Sequence, residues 1–307
     1  MLKKDVQVGY ARSDLACESC QKHEAIDGTE QSERRVGEIT VTQFKIVTEQ
    51  ASQRLGKPCG SYVTFESGRI DRLYDDRVTL FAHLLAGELR GMAERLTQKK
   101  VDSSFGVFVA GLGNAELTAD AVGPRTVARL TATRHLREHE GELFFSSGCS
   151  SLSALSPGVL GQTGIETAEL LAGAVRVIAP DLVIAVDALA ARSCDRLAST
   201  VQISDVGILP GAGVGNHRAA IDRQTLGIPV IALGVPTVVD SATLVFDALR
   251  EAGIEEISPE LIRVLETGKS FFVSPKESDM ITDRVSRLLS RALTLAFGGE
   301  LAEELGE

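Results

Sequence analysis

The chain has 307 residues, of which 44% are hydrophobic and 24% are charged, a balance typical of a folded protein with one large or two ordinary domains. Its 42 acidic residues outnumber its 32 basic ones, and the net charge of −10 argues against a nucleic-acid binder, which usually presents a basic face. No apolar run reaches the roughly 18 residues of a membrane-spanning helix, and no apolar signal core follows Lys3 and Lys4. The five scattered cysteines indicate reduced thiols in a cytoplasm.

The first part of the chain is polar and then becomes regular. Residues 1–37 have poor apolar periodicity, so we expect an irregular leader there. Residues 38–48 alternate apolar and polar side chains and predict a strand, and residues 62–65 predict a second one. Apolar residues at helical spacing predict an amphipathic helix over residues 75–99.

Apolar runs and helical segments alternate through the rest of the chain. The runs predict strands over residues 105–110, 181–186, 201–203 and 228–233. Helical patterns cover residues 123–136, the segment that ends at Arg250, and residues 279–297. Because continuous apolar strands that alternate with helices are typical of a sheet covered on both faces, the pattern predicts an α/β fold.

Two aspartates have positions that suggest chemistry. Asp187 closes the apolar run 182–186, and Asp120 lies between a predicted strand and a predicted helix. Ligands of open α/β sheets bind at the carboxyl ends of strands, where two such carboxylates could face one another. The pair could share a proton, so that one member activates water and the other polarises a carbonyl. It could instead hold a divalent cation, or consist of a helix cap and a turn residue. Asp240 also follows an apolar run, so position alone does not select the pair.

A glycine-rich loop lies between the third and fourth apolar runs. It covers residues 207–215 and contains Gly211, Gly213 and Gly215. Glycines allow a close backbone approach, so this loop could bind an extended peptide through main-chain groups. A mobile connection is the alternative interpretation.

The order of several motifs resembles the germination protease family of spore-forming bacteria, endopeptidases that degrade small acid-soluble spore proteins. Order and spacing hold from about residue 105 to 247, in the stretches 111–114, 120–125, 133–136, 156–159, 161–167, 187–193, 202–205, 211–216 and 227–240. Weaker matches lie at residues 12–16, 56–57, 62–64 and 274–277. The chain is shorter than typical members between residues 247 and 271.

The resemblance implies a fold and a mechanism. The fold would be similar to that of hydrogenase-maturation endopeptidases, a twisted, mostly parallel sheet sandwiched by helices. The two essential aspartates of the family correspond to Asp120 and Asp187, which removes Asp240 as a catalyst. No cofactor is expected, but the equivalent acidic pair in the hydrogenase-maturation relatives contacts nickel. A metal-dependent protease that uses the same pair is therefore the alternative.

The resemblance also implies a zymogen that cuts itself. The family cleaves after an acidic residue and before a large apolar residue that is followed by Ala, and residues 13–16 (Ser-Asp-Leu-Ala) form such a site. We predict self-cleavage between Asp14 and Leu15, with residues 1–14 as propeptide and residues 15–307 as a single protease domain. Arg125 or Arg192 could supply the countercharge for the acidic residue.

The expected partners and location follow from the same family. Small acid-soluble spore proteins would be the substrates, and the assembly would be a homotetramer. No direct contact with nucleic acid or membrane is expected. The enzyme would act in the cytoplasm of the forespore or spore core.

Overall fold

A computed structural model of the chain describes residues 13–20, 26–211, 218–254, 257–267 and 271–299. Within these ranges the chain forms one nine-stranded sheet with helices on both of its faces. The strands are β1 (Thr29–Val36), β2 (Ile39–Ile46), β3 (Gly60–Glu66), β4 (Gly106–Gly111), β5 (Ser151–Leu155), β6 (Leu182–Ala191), β7 (Thr200–Ser204), β8 (Val230–Asp240) and β9 (Phe272–Val273).

The helices connect and cover these strands. They are α1 (Ala16–Cys20), α2 (Glu49–Leu55), α3 (Asp75–Thr97), α4 (Val122–Val127), α5 (Arg134–His139), α6 (Gly141–Ser146), α7 (Leu160–Thr163), α8 (Thr167–Ile178), α9 (Arg223–Leu226), α10 (Ser241–Glu251), α11 (Pro259–Thr267) and α12 (Ser278–Phe297). Single 3₁₀ turns cover Ile70–Arg72, Thr118–Asp120 and Cys194–Arg196.

The sheet is mixed. Its strand order is β1-β2-β3-β7-β8-β6-β4-β5, with β9 paired to β8. The neighbours β5, β4, β6 and β8 run parallel, whereas β7, β3, β2 and β1 extend the sheet through antiparallel pairs. The predicted α/β class is confirmed.

Alternation along the central strands divides the core into two layers. On β6, Leu182 and Ile184 face a core that α3 and α12 complete, whereas Val183 and Ala185 face a second core that α8 completes. Both sets are fully buried, so the strand is apolar without interruption, as expected for a central strand between two helical layers. Asp187 lies on the same face of β6 as Val183 and Ala185, the face that α8 covers further along the strand.

Most predicted elements are confirmed, but the helix over residues 123–136 is wrong as one helix. The structure has α4 and α5 there, separated by an irregular stretch that ends at Thr133. The Thr133 hydroxyl donates to the Ser150 carbonyl at 2.5 Å, and the Thr133 backbone N–H donates to the Leu152 carbonyl at 3.0 Å. These bonds tie the chain to the β5 edge and compete with helical bonds.

The expected irregular leader is also partly wrong. Thr29–Val36 forms β1, an edge strand that pairs with β2 in a hairpin. Nearly all of its side chains are exposed, and a strand with no buried face has no apolar alternation to detect. Residues 1–12 and 21–25 lie outside the described residues.

Candidate active site

Asp187 lies inside β6, not at its end. The prediction of a strand that ends at Val186 is wrong, because β8 pairs with β6 as far as Ala191. The parallel partner on the other side, β4, ends at the pair Gly111 and Val186. Asp187 is therefore the first residue of β6 beyond the carboxyl end of β4, which places it at the edge where ligands of open α/β sheets bind.

Asp120 reaches the same place from a tight turn between β4 and α4. Its Oδ2 accepts a hydrogen bond from the backbone N–H of Asn114 at 2.8 Å. Gly113 has a φ of 109°, and a Cβ there would lie 2.0 Å from the Asp120 carbonyl oxygen, so this turn requires glycine. The Thr237 hydroxyl donates to the Ala119 carbonyl at 2.6 Å, which fastens the turn to β8.

The two carboxyl groups have different surroundings. Burial raises the pKa of Asp187 well above its usual range, and the charges of Asp120 and Asp14 raise it further. Burial also raises the pKa of Asp120, but the Asn114 N–H and the positive charge of Arg218 oppose that rise. Burial therefore favours the protonated form of Asp187, whereas the Asn114 N–H and Arg218 favour the ionised form of Asp120.

The segment that contains the predicted cleavage site lies against these strands. The backbone N–H of Asp14 donates to the Ala190 carbonyl at 2.9 Å, and the Ala190 N–H donates to the Asp14 carboxylate at 2.8 Å. The Ala16 N–H donates to the Gln202 side-chain oxygen at 2.7 Å. These bonds hold Asp14 against β6, the strand that carries Asp187, and the charge of Asp14 raises the pKa of Asp187.

The two residues after Asp14 fill separate apolar pockets. Leu15 and Ala16 are both 0% exposed. Leu15 is packed in a cluster with Leu189, Ala191, Leu197 and Val239. Ala16 is packed in a different cluster, with Phe44, Ile46, Ala51 and Tyr62. A large apolar residue followed by a small one therefore fits these pockets.

Glu18 anchors the far end of the segment. Its carboxylate accepts hydrogen bonds from the backbone N–H groups of Arg192 at 2.8 Å and Ser193 at 3.0 Å. The Arg196 guanidinium lies 3.5 Å from the same carboxylate. Only 5% of Glu18 is exposed, so the carboxylate is held by charge-assisted hydrogen bonds in a buried setting.

A cavity of about 370 Å³ continues beside Asp14. It lies on the face of β7 and β8 opposite α3 and α12. Its walls include Lys57, Tyr62, Leu189, Gln202, Leu209 and Gly234. The cavity offers room for more of an extended peptide next to Asp14.

The other predicted site residues are spread over the fold. Arg125 lies on α4, and its guanidinium is 3.6 Å from the Asp279 carboxylate of α12. Arg192 follows β6, and its backbone N–H binds Glu18. Gly211 adopts a left-handed conformation with a φ of 72°. Gly213 and Gly215 lie outside the described residues.

Two residues that the sequence patterns did not single out, Lys57 and Gln202, contact the segment, and a third, Glu18, belongs to the segment and binds the end of β6. Lys57 and Gln202 stand inside matched stretches, 56–57 and 202–205, which is the one signal that could have identified them. Their roles depend on contacts between distant parts of the chain.

Two further observations concern metals and membranes. In the part of the chain that the structure describes, no three His, Cys, Asp or Glu side chains converge in a way that could hold a metal ion. No step below passes through a metal ion. Among the same residues, no helix has the length and apolar character needed to span a membrane.

Comparisons with known proteins agree with the motifs. A family model described as germination protease matches residues 10–252. The germination protease of Caldanaerobacter subterraneus subsp. tengcongensis is 40% identical over 319 aligned positions, which cover 95% of this chain and 96% of that protein. The germination protease of Clostridium acetobutylicum is 35% identical over 324 aligned positions, which cover 96% of this chain and 97% of that protein. Among solved structures, the NiFe hydrogenase maturation protease HycI from Thermococcus kodakarensis KOD1 matches 66% of this chain and 97% of its own, with 17% identity and a TM-score of 0.35.

Proposed function

The chain belongs to the germination protease family, and on that premise we propose that it is an endopeptidase that hydrolyses a peptide bond with Asp120, Asp187 and one water molecule. Its substrates are small acid-soluble spore proteins in the cytoplasm of the forespore or spore core. The observation that supports the proposal is how the residues around the Asp14–Leu15 bond are held. Asp14 is hydrogen-bonded to β6, the strand that carries Asp187, its charge raises the pKa of Asp187, and Leu15 is fully buried.

The environment of each aspartate suggests its role. Ionised Asp120 takes a proton from water as the water oxygen attacks the carbonyl carbon. Protonated Asp187 supplies a proton to the leaving nitrogen when the C–N bond breaks. The products are a carboxylate and an amine, and a proton exchange with water returns the pair to its starting state. The pair shares one proton, as expected for two neighbouring carboxyl groups in a buried site.

The bound segment also supports the expected sequence preference. The Asp14 carboxylate accepts a hydrogen bond from the Ala190 N–H, Leu15 is fully buried in its cluster, and Ala16 is fully buried in another. An acidic residue, a large apolar residue and Ala are therefore the order that this site accepts. Spore proteins with that order would make the same contacts as residues 14–16.

Because the segment occupies the site, the unprocessed chain is a zymogen in this proposal. Self-cleavage removes residues 1–14 and leaves a protease domain of residues 15–307. Leu15 and Ala16 stay attached to that domain, so they must leave their pockets before another substrate can bind. The active protease is proposed to be a homotetramer, which light scattering on the processed protein tests.

The first experiment follows the intact mass of the purified full chain at mildly acidic pH. Wild type is expected to lose residues 1–14, whereas Asp120→Asn and Asp187→Asn are expected to stay intact. Asp240→Asn is the matched control and is expected to process like wild type. Cleavage at another bond, or processing by either dyad variant, would contradict the proposal.

A parallel sample with a chelator tests the metal-dependent alternative. Processing that is unaffected by the chelator supports the aspartate mechanism. Processing that the chelator blocks and one divalent ion restores would favour a metal-dependent protease instead.

The countercharge for the acidic residue is tested by charge reversal. Arg192→Glu and Arg125→Glu form a matched pair, since both change a half-buried arginine but only Arg192 adjoins the bound segment. The variant that removes the countercharge is expected to lose the preference for Glu over Gln before the cut bond. If both variants keep that preference, neither arginine reads the acidic side chain.

A further inference from the structure

The carbonyl oxygen of Asp14 accepts hydrogen bonds from two side chains that have no role in the aspartate mechanism proposed above. Lys57 Nζ lies 3.1 Å from it and Gln202 Nε2 lies 3.3 Å from it. Lys57 Nζ also donates to the carbonyl oxygen of Ser13 at 2.9 Å. The Asp14 carbonyl is the one that would be attacked in the proposed function, so both donors contact the reacting group.

The fold positions Lys57 through the end of α2. Gly56 ends that helix in a left-handed conformation with a φ of 65°, and its N–H donates to the Ser52 carbonyl. The N–H of Lys57 donates to the same carbonyl at 3.2 Å. This helix end turns the chain so that the side chain of Lys57 crosses to the bound segment.

Gln202 is oriented by the sheet and by the segment itself. It lies on β7 opposite Thr64 of β3 and Gly234 of β8, in a row that continues to Asp187 of β6. Only 8% of it is exposed. Its side-chain oxygen accepts the Ala16 N–H at 2.7 Å, which fixes the amide and directs its NH₂ group toward the Asp14 carbonyl.

The charge of Lys57 acts at a half-buried position. Burial lowers the pKa of Lys57, whereas the negative charges of Asp14 and Glu18 raise it. A cation held in such a place interacts more strongly with a nearby anion than it would in water. Fixed donors of this kind need no rearrangement when charge develops during a reaction.

We propose that Lys57 and Gln202 form an oxyanion hole for this protease. The inference rests on the proposed function and adds two catalytic residues to it. As water adds to the Asp14 carbonyl carbon, its proton passes to Asp120, and the π electrons move onto the carbonyl oxygen. The Lys57 ammonium and the Gln202 amide stabilise that negative charge until the C=O bond re-forms and the C–N bond breaks.

This assignment leaves the proton of Asp187 for the leaving nitrogen of Leu15. It also makes the two donors independent of substrate sequence, since both contact main-chain oxygen atoms. Spore proteins bound in the same register would meet the same two donors.

Self-cleavage of the full chain is the test, because its first-order rate needs no substrate binding from solution. Lys57→Met keeps the length of the side chain but removes the charge and the donors. Gln202→Glu keeps an acceptor for Ala16 but replaces the NH₂ donor with an oxygen. Each variant is expected to slow self-cleavage by about 10²- to 10³-fold, the usual effect of losing one oxyanion donor. Lys57→Arg keeps a positively charged donor, so it is expected to slow self-cleavage less than Lys57→Met does.

The matched controls change the same residue types away from the site. Lys99→Met breaks only an exposed ion pair with Asp181, and Gln43→Glu changes an exposed position on β2. Both are expected to process at the wild-type rate.

A second measurement separates catalysis from simple binding of the segment. Hydrogen exchange over residues 188–193 reports whether the segment is bound, since the Ala190, Arg192 and Ser193 amides donate to it. A slower cut with unchanged protection supports the oxyanion hole. A loss of protection that accounts for the whole drop in rate would overturn it, because Lys57 and Gln202 would then only hold the peptide.

The outcomes also separate this inference from the proposed function. If wild type processes, the dyad variants do not, and Lys57→Met and Gln202→Glu process at the wild-type rate, the oxyanion hole is wrong and the aspartate protease stands. If wild type cuts neither itself nor an added spore protein, both are wrong.

Discussion

The pocket around Leu15 leads to a quantitative prediction for Leu15→Ala. Leu15 is fully buried among Leu189, Ala191, Leu197 and Val239. The substitution removes three carbon groups, each worth about 0.8 kcal/mol on burial, so the bound state of the segment loses about 2.5 kcal/mol. That energy corresponds to about a 50-fold change in the equilibrium between bound and released segment. Any cavity left behind increases the loss.

Hydrogen exchange measures that equilibrium directly. The experiment uses the Asp120→Asn background, in which the segment is expected to stay uncut, and peptides that cover residues 188–193. Protection of these amides is expected to fall about 50-fold in Leu15→Ala, and much less in Leu15→Ile, which keeps the volume. Leu244→Ala, an exposed position on α10, is the control. Unchanged protection in Leu15→Ala, or an equal loss in Leu15→Ile, would refute the argument that burial of Leu15 holds the segment.

Two further predictions concern the aspartate and the sheet beneath the segment. The pKa of Asp187 is raised in the folded state. The unfolded chain releases this proton at about pH 3.9, whereas the folded chain keeps it. The free energy of unfolding therefore falls as the pH rises from about 3.9 to the raised pKa. Asp187→Asn removes the ionisable group, so it is expected to unfold at a higher temperature than wild type at neutral pH, and this difference is expected to shrink toward pH 3. Thermal melts at several pH values measure the difference. A difference that stays constant with pH would contradict the prediction. A Cβ on Gly234 would lie 2.6 Å from the Leu189 side chain, so Gly234→Ala is expected to push Leu189 into the Leu15 pocket and narrow it. Self-cleavage at Asp14–Leu15 is expected to slow at least about 10-fold, which is the low end for a poorly fitting side chain in a pocket. Gly87→Ala, where a Cβ meets nothing within 4 Å, is its control, and an unchanged rate in Gly234→Ala would show that Leu189 moves aside freely.

Local pattern was sufficient to predict the central strands. The runs that became β4, β6 and β8 are apolar on both faces because helices cover both sides of the sheet, and such strands are visible without knowledge of their neighbours. Asp187 stands out because it follows an apolar run, but Asp240 does too, so the pair of Asp120 and Asp187 was selected only by the resemblance to the family. The motif order then identified the family, which the comparisons confirm.

Elements whose stability comes from distant partners could not be predicted in the same way. Thr29–Val36 has no buried face and is a strand only because β2 pairs with it. The helix predicted over 123–136 breaks because Thr133 bonds to the β5 edge. In both cases hydrogen bonds to another segment outweigh the local preference of the chain.

The candidate site shows the same division. The sequence by itself determined which residue types stand at Asp14, Leu15, Asp120 and Asp187, because each belongs to a short motif. Only the tertiary structure decided that a helix end and a strand bring Lys57 and Gln202 to one carbonyl oxygen. The physical reason is that local periodicity records which side of an element is buried, whereas convergence of side chains depends on strand register and topology, which no single segment contains.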